Sequence, residues 1–347
     1  MRILVIGGTN FIGPHIVRRL AGQGHELVLF HRGPLAADTP KGRFARGAEH
    51  ADLPAGARQM YGDRERLADY AHALRDSAPE VVLDMIPQND DDARGVQAVF
   101  RGVARRVVAI SSQDVYRAYG RLLRTEPGQP DPLPLTEDAP LRERMYAQAG
   151  MIPGAERYEK ILAERVYLGD AALPGTVLRL PAVYGPGDHQ HRVFEYLKRI
   201  DDGRQVIVLE EHLADWRWTR GYVENVADAV ALAVTDERAA GRVYNAGDPD
   251  TLTQAEWVRA IGAAAGWHGE IKTVPAERLP EAMRFDGNLA QSWVTDSSRI
   301  RRELGYAERI PRDEALLRTV AWERAHPPAT FDAAQFDYAA EDAALAE

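Results

Sequence analysis

The sequence contains no cysteine and no long uninterrupted apolar run. The first absence excludes disulfides, thiolate nucleophiles and thiolate-bound metals. The second excludes a membrane-spanning helix, which needs about 18 consecutive apolar residues. The opening apolar run, Ile3 to Ile6, is too short for a signal-peptide core and passes straight into glycines, so a cytoplasmic protein is expected. An excess of basic charge is also missing. Lys and Arg number 43 against 52 Asp and Glu, a net charge of −9, which disfavours a nucleic-acid partner because phosphate backbones are held by Lys and Arg. The 347 residues exceed what one hydrophobic core organises comfortably, so a domain with a smaller companion is expected.

Within that frame, short apolar runs alternate with longer amphipathic stretches. The runs are Ile3–Ile6, Leu27–Phe30, Gln59–Tyr61, Val81–Ile86, Val107–Ile110 and Thr176–Leu180, with helical patterns near 11–22, 64–77, 90–104 and 155–169. Continuous β-rich runs joined by helices imply buried parallel strands in βαβ units, an α/β doubly wound sheet of Rossmann type. Downstream, helices are expected at 190–203, 224–235 and 253–266 and strands at 206–210 and 242–245, forming a smaller mixed α/β domain. The expected division is 1–181 with 219–247 for the dinucleotide-binding domain, and 182–218 with 248–330 for the substrate domain. The proline-rich stretch 125–140 reads as an irregular excursion. The acidic, alanine-rich tail 331–347 lacks apolar periodicity and is expected to be solvated or loosely docked.

The first run leads into Gly7-Gly8-Thr9-Asn10-Phe11-Ile12-Gly13 and then a helical pattern. A glycine-rich turn there sets backbone N–H groups at a helix N-terminus, where a pyrophosphate binds. Gly7 allows the tight turn and Gly13 the close helix packing, while Phe11 and Ile12 complete the loop. Asn10 stands where a middle glycine is expected, and Asn tolerates left-handed backbone better than most residues. The second strand ends His31-Arg32, without the acid that contacts a ribose 2′-hydroxyl in NAD-preferring sites. Arg32 suits a 2′-phosphate, so NADP is favoured over NAD as cofactor. Asp63 and Arg64, after the third strand, are candidates for the adenine end. The basic trio Lys41, Arg43 and Arg46 is either a contact to a 2′-phosphate or RNA, or a solvated loop.

Further motifs follow in order. Ile110-Ser111-Ser112-Gln113-Asp114-Val115-Tyr116 lies on the fifth strand; Val177 to Asp188 spans the sixth. Gly221 to Ala227, Val243 to Gly247 and Leu304-Gly305-Tyr306 complete the set. With the glycine loop they resemble the extended short-chain dehydrogenases, the NAD-dependent epimerase/dehydratase group, from residue 1 to about 326. The resemblance implies a Rossmann domain holding the cofactor and a C-terminal domain closing over a substrate, often a nucleotide sugar. It implies a homodimer, with Ser112 orienting a substrate hydroxyl and Lys160 holding the nicotinamide ribose. Tyr184, Arg192, Arg217 and Arg220 are the implied substrate residues, expected with Arg179 and His191 around a positively charged cleft. The departures are specific. Ala182 fills a slot where many sugar-nucleotide members carry Asn, Arg217 lies one position off the usual diphosphate arginine, and Met85 and Ile86 replace small residues near the cofactor.

The largest departure concerns the tyrosine. The family carries Tyr and then Lys four residues later. Aligned through Lys160 and Glu164, that slot holds Glu156, while Tyr158 precedes Lys160 by two. On a continuous helix those two side chains point about 200° apart. A helix starting near Tyr158, downstream of Pro153-Gly154, would turn Tyr158 into the cleft and leave Ser112, Tyr158 and Lys160 as the catalytic set. The expected function is an NAD(P)-dependent epimerase, dehydratase or reductase acting on a nucleotide sugar or related polyol. The alternative is a catalytically atypical cofactor-binding protein with an RNA or protein partner, because Asn10, Arg32-Gly33 and the shifted tyrosine resemble the chloroplast stem-loop RNA-binding branch. His189 and His191 lack a completing carboxylate cluster, so no metal is expected. Trp216 and Trp218 are read as one packing residue and one facing the cleft, and Asp90–Asp92 as caps of the helix they open.

Overall fold

The computed structural model describes residues 1–33, 53–150 and 154–346. Lys41, Arg43, Arg46 and Pro153 lie outside the described residues. Seven strands form one parallel sheet: β1 (Arg2–Ile6), β2 (Glu26–His31), β3 (Arg58–Tyr61), β4 (Val81–Asp84), β5 (Arg106–Ser112), β6 (Gly175–Leu180) and β10 (Val243–Asn245). Their spatial order is β10-β6-β5-β4-β1-β2-β3. Successive side chains of a strand point to opposite faces, and here both faces are apolar. Ile3, Val5, Val81 and Leu83 join one core with α1 (Ile12–Gly22) and α8 (Val223–Thr235). Leu4, Ile6 and Val82 join the other, with α3 (Asp90–Phe100) and α5 (Lys160–Leu168). From β1 the chain runs outward through β2 and β3, then returns to β4 on β1's other side. That reversal opens a crevice at the carboxyl ends of β1 and β4, where open α/β sheets bind ligands.

The smaller part carries two parallel ribbons. β7 (Ala182–Tyr184) pairs with β9 (Arg220–Tyr222), and β8 (Val206–Glu210) with β11 (Glu270–Val274). Around them lie α6 (Phe194–Asp201), α7 (Glu211–Asp215), α9 (Gln254–Ala265), α10 (Ser298–Leu304) and α11 (Arg312–Ala325).

Three expectations need correction. The pattern at 64–77 becomes a kinked 3-10 stretch, Arg64–Tyr70, followed by α2 (Ala71–Asp76). Its start is set by Asp63, which caps it, and by Arg64, which is drawn inward to Asp84. The helix expected from 155 starts at Lys160 because Glu159 is its cap, accepting a hydrogen bond from the Ile161 N–H at 3.1 Å. The tail is docked: α12 (Tyr338–Ala346) buries Glu341 completely against Arg199 of α6, with an N···O distance of 2.9 Å. The composition of the tail reads as solvated only because its buried partner lies 142 residues away in sequence.

Candidate functional site

The loop after β1 takes the conformation its glycines permit. Gly7 and Gly8 have φ of +90° and +84°, and a Cβ at Gly13 would lie 2.4 Å from the Gly8 carbonyl carbon. Gly13 is therefore what lets α1 start against the loop. Phe11, with φ of +43°, is the N-cap of α1; the helix has no side-chain cap and no acid in its first turn. The Gly13 N–H is taken by the Asn10 carbonyl at 2.9 Å, and the positive dipole end of α1 favours an anion beside the loop. Met85 Cβ approaches to 3.3 Å of where a Gly7 side chain would begin, and Ile86 is half-exposed beside it. This cradle fits a dinucleotide pyrophosphate, with Ile12 and Gly13 at the head of the helix.

At the ends of β2 and β3 the predicted residues divide. His31 is buried; its Nδ1 accepts the Gly33 N–H at 3.1 Å, which leaves Nε2–H to donate to Gln59 Oε1 at 3.1 Å. Arg32 is exposed, and Tyr61, 60% exposed, lies beside its neighbours His31 and Gly33. Asp63 accepts the Glu65 N–H at 3.0 Å as a cap. Arg64 is buried, with two nitrogens on Asp84 at 2.7 and 3.1 Å. Asp84 also accepts from the Tyr167 hydroxyl at 2.6 Å and the Ile86 N–H at 3.2 Å. Arg64 and Asp84 thus form a braced floor under the crevice.

At the end of β5 the structure brings Ser112, Tyr158 and Lys160 together. Tyr158 precedes α5, outside the helical rotation, because Glu159 caps the helix. Glu159 is itself held by a buried ion pair with Arg142 at 3.0 Å and by the Tyr146 N–H at 2.7 Å. The Tyr158 hydroxyl donates to Asp114 Oδ2 at 2.8 Å. Ser112 Oγ accepts the Asp114 N–H at 3.2 Å, so Asp114 joins the serine and the phenol. Lys160 Nζ donates to the Ile110 carbonyl at 3.0 Å and stands 5.7 Å from the Tyr158 ring centre. Glu156 is exposed and turned back on the Gly154 N–H.

Asp114 is the residue that sequence reasoning missed. It is buried, its Oδ2 also accepts from Gln148 Nε2 at 2.7 Å, and its Oδ1 has no partner among the described residues. A carboxylate two residues after the serine was the available signal. Burial pushes its carboxyl up, and burial with the Asp114 charge pushes the Tyr158 phenol well above its ordinary value. Burial lowers Lys160 to about 8.

The residues expected to make a positive cleft are mostly neutralised. Arg179 is buried on Glu164 at 2.7 Å; Arg192 bonds Asp188 at 2.6 Å; His191 pairs with Glu323 at 2.5 Å. Arg217 turns outward to the Thr251 carbonyl at 2.7 Å. Arg220 is buried, donating to Gln254 Oε1 at 2.6 Å with its guanidinium 4.3 Å from the Trp257 ring centre, and burial lowers it to about 10. Tyr184 is buried with no partner for its hydroxyl among the described residues. Trp216 and Trp218 share one side, ring centres 5.8 Å apart, because residues two apart on an extended segment share a face.

The seven-stranded parallel sheet, with its glycine loop at the end of β1, defines a Rossmann-type α/β protein. The profile of the NAD dependent epimerase/dehydratase family matches residues 3–247, and the chain belongs to that family. A dTDP-glucose 4,6-dehydratase of Streptomyces griseus is 30% identical over 93% of this chain and 94% of its own length. A chloroplast stem-loop binding protein of Arabidopsis thaliana is 23% identical over 77% of this chain and 64% of its own. The dTDP-glucose 4,6-dehydratase of Streptomyces venezuelae, solved with NAD bound, shares the fold with a TM-score of 0.66 at 21% identity, over 94% of this chain and 98% of that one.

Proposed function

We propose that this chain is an NAD(P)-dependent enzyme that transforms a sugar at a carbinol carbon, by epimerisation, dehydration or reduction, on a nucleotide sugar or related polyol. The observation that carries this reading is the meeting of Ser112, the Tyr158 hydroxyl and Lys160 at the carboxyl end of β5, in the sheet whose β1 ends in the glycine loop. The likeness to the Streptomyces griseus dehydratase supports the same class.

Ser112 Oγ orients the substrate hydroxyl against the Tyr158 oxygen. The phenol is held protonated by burial and by Asp114, so it does not act as a standing phenolate. It takes the substrate proton as it hands its own to Asp114 Oδ2 along the 2.8 Å hydrogen bond. The substrate O–H breaks, the Asp114 carboxyl O–H forms, and Tyr158 ends as it began. The bound dinucleotide supplies a hydride acceptor or donor at the carbon. Lys160, still cationic at neutral pH, stabilises negative charge passing over the phenol. Reduction runs the same path backwards. For cofactor choice, Arg32 and the absence of an acid at the end of β2 support NADP over NAD.

The test follows hydride transfer by nicotinamide absorbance over a panel of dTDP-sugars, UDP-sugars and free polyols, with cofactor affinity measured alongside. Tyr158→Phe and Asp114→Asn are each expected to lower kcat by about a hundredfold or more with cofactor affinity kept, and Glu156→Gln to change neither. Full turnover in Tyr158→Phe removes it from the mechanism. No turnover by the unmodified protein across the panel replaces the enzyme reading with a cofactor-binding protein.

A further inference from the structure

Asp114 has a second neighbour that comes from neither β5 nor α5. Gln148 Nε2 donates to Asp114 Oδ2 at 2.7 Å, on the same oxygen that accepts the Tyr158 hydroxyl at 2.8 Å. Oδ1 has no partner among the described residues. The same Nε2 reaches the Tyr119 hydroxyl at 3.5 Å, too long for a strong bond, so the amide is committed to the carboxylate. Asp114 is buried and Gln148 is half-buried.

The amide is delivered by an irregular turn, 142–149, that is anchored without it. The N–H groups of Glu143 and Arg144 donate to Glu126 Oε1 at 2.7 and 3.1 Å. That of Tyr146 donates to Glu159 Oε2 at 2.7 Å, and that of Ala149 to the Tyr146 carbonyl at 3.0 Å. Arg142 ties the turn to the site: its guanidinium lies on Glu159, and its Nε donates to the Asp114 carbonyl at 2.6 Å. Tyr146 takes φ of +54°, a conformation that persists only where the surroundings over-determine it. None of these bonds uses the Gln148 side chain.

The groups that face the Asp114 carboxyl are Ser112, Tyr119, Arg142, Gln148, Tyr158 and Lys160. Arg142 is committed to Glu159 and Lys160 to the Ile110 carbonyl. Burial holds both phenols neutral, Tyr119 pushed up to about 12 and Tyr158 well above its ordinary value. Burial also drives Asp114 towards its protonated form, which an N–H donor on the carboxylate opposes. An amide does this without a charge, so the oxygen it holds is still able to accept a proton. We propose that Gln148 is a positioning residue: its amide aims Asp114 Oδ2 at the Tyr158 hydroxyl and keeps it a carboxylate until the phenol hands over its proton. In that step the phenol O–H breaks, the Oδ2–H bond forms, and the electron pair left on the phenol oxygen takes the substrate proton. The proposal rests on the reading of the chain as an enzyme in which Asp114 is the proton acceptor.

The test reads the proton on Asp114 without turnover. Infrared difference spectra of the full chain are recorded from about pH 8 to about pH 4, where the carbonyl stretch of each carboxyl grows as it is protonated. The contribution absent from Asp114→Asn is that of Asp114. In Gln148→Leu the carboxylate loses its amide donor and is expected to take up its proton about one pH unit higher than in the parent. In Gln148→Glu a second carboxyl faces it, and the pair should bind its first proton higher still. The turn keeps its backbone anchors in both variants, so both are expected to fold. A purely structural role would lower the melting temperature and leave the midpoint in place. An Asp114 midpoint unmoved in Gln148→Leu overturns the proposal, as does a carboxyl that stays ionised down to acid unfolding in the parent and both variants. Where the sugar panel gives turnover, the acid limb of kcat should move with the same midpoint, and a change in KM alone overturns the proposal too. Absence of turnover across the panel is instead a failure of the enzyme reading, scored apart from the titration.

Discussion

Lys160 sits at the residue scale where the proposed function and stability conflict. Its amine is buried and lowered to about 8, chiefly by desolvation. In the unfolded chain it titrates near 10.4. Between those values the unfolded state binds the extra proton, so folding is penalised increasingly as pH falls from about 10.4 to 8, and the penalty is constant below that. Lys160→Met removes the penalty and also the bond to the Ile110 carbonyl. The variant is expected to be more stable than the parent by about 1–3 kcal/mol at pH 7, with the gap closing above pH 8. Urea denaturation of both proteins from pH 6.5 to 10 measures it, and a gap that does not change with pH refutes it. Arg32 gives the second residue-scale prediction. His31 is locked inward by Gly33 and Gln59, so the exposed Arg32 is left as the charge at the end of β2. An exposed Arg–phosphate pair contributes on the order of 1 kcal/mol, so NADPH should bind roughly fivefold tighter than NADH. Arg32→Ala should erase the preference. Equal affinities in the parent, unchanged by that substitution, would defeat the claim.

At the scale of elements, what could be read from the sequence follows from how local the determinants are. β1, β2, β4, β5 and β6 are continuous apolar runs buried on both faces, and short runs of that kind are legible without partners. The glycine loop was legible for the same reason, since Gly7, Gly8 and Gly13 answer to their own backbone. The start of α5 was legible only in part: Pro153-Gly154 pointed to a start near Tyr158, and the helix begins at Lys160. It depends on Glu159, whose carboxylate is fixed by Arg142 from an irregular segment, and no pattern within 155–169 announces that pair. Yet that pair decides the site, because it leaves Tyr158 extended before the helix and so lets a two-residue spacing to Lys160 converge on Asp114. The substrate arginines failed to gather for a related reason. Residue type identified them as cations, but Glu164 and the Thr251 carbonyl are partners fixed only by tertiary contact, and even the local partner of Arg192, Asp188 four residues before it, was not read as one. α11 was missed because its buried face mixes Leu316 and Val320 with Ala315, Thr319 and Glu323, which blurs the apolar stripe.

Across the whole molecule, the C-terminal tail is linked by contacts to the glycine loop after β1. α12 lies on α6 through the Arg199–Glu341 pair, and Arg199 also donates to the Gln335 carbonyl at 2.6 Å. Phe331 and Phe336 pack on Phe194, at the first turn of α6, with ring centres 5.5 and 5.9 Å away. Immediately before α6 runs the loop whose His189 ring meets Phe11 edge-on at 5.9 Å, at the start of α1. A continuous path of contacts therefore joins the tail to the dinucleotide loop. Both members of the ion pair are almost fully buried, so removing Glu341 leaves the Arg199 charge with only the half-exposed Glu195 at 4.0 Å, which costs about 3 kcal/mol. Replacing both with apolar side chains of similar size is far less costly, because neither charge then needs solvation. Glu341→Leu alone is accordingly expected to lower the unfolding free energy by about 3 kcal/mol, and Arg199→Met with Glu341→Leu to restore most of it. Urea denaturation gives both numbers, and NADPH titration shows whether the loss reaches Phe11: the single variant should bind cofactor more weakly than the double. Additive destabilisation in the double variant would mean that the tail acts by packing alone and that the buried pair has no special part in fixing α6.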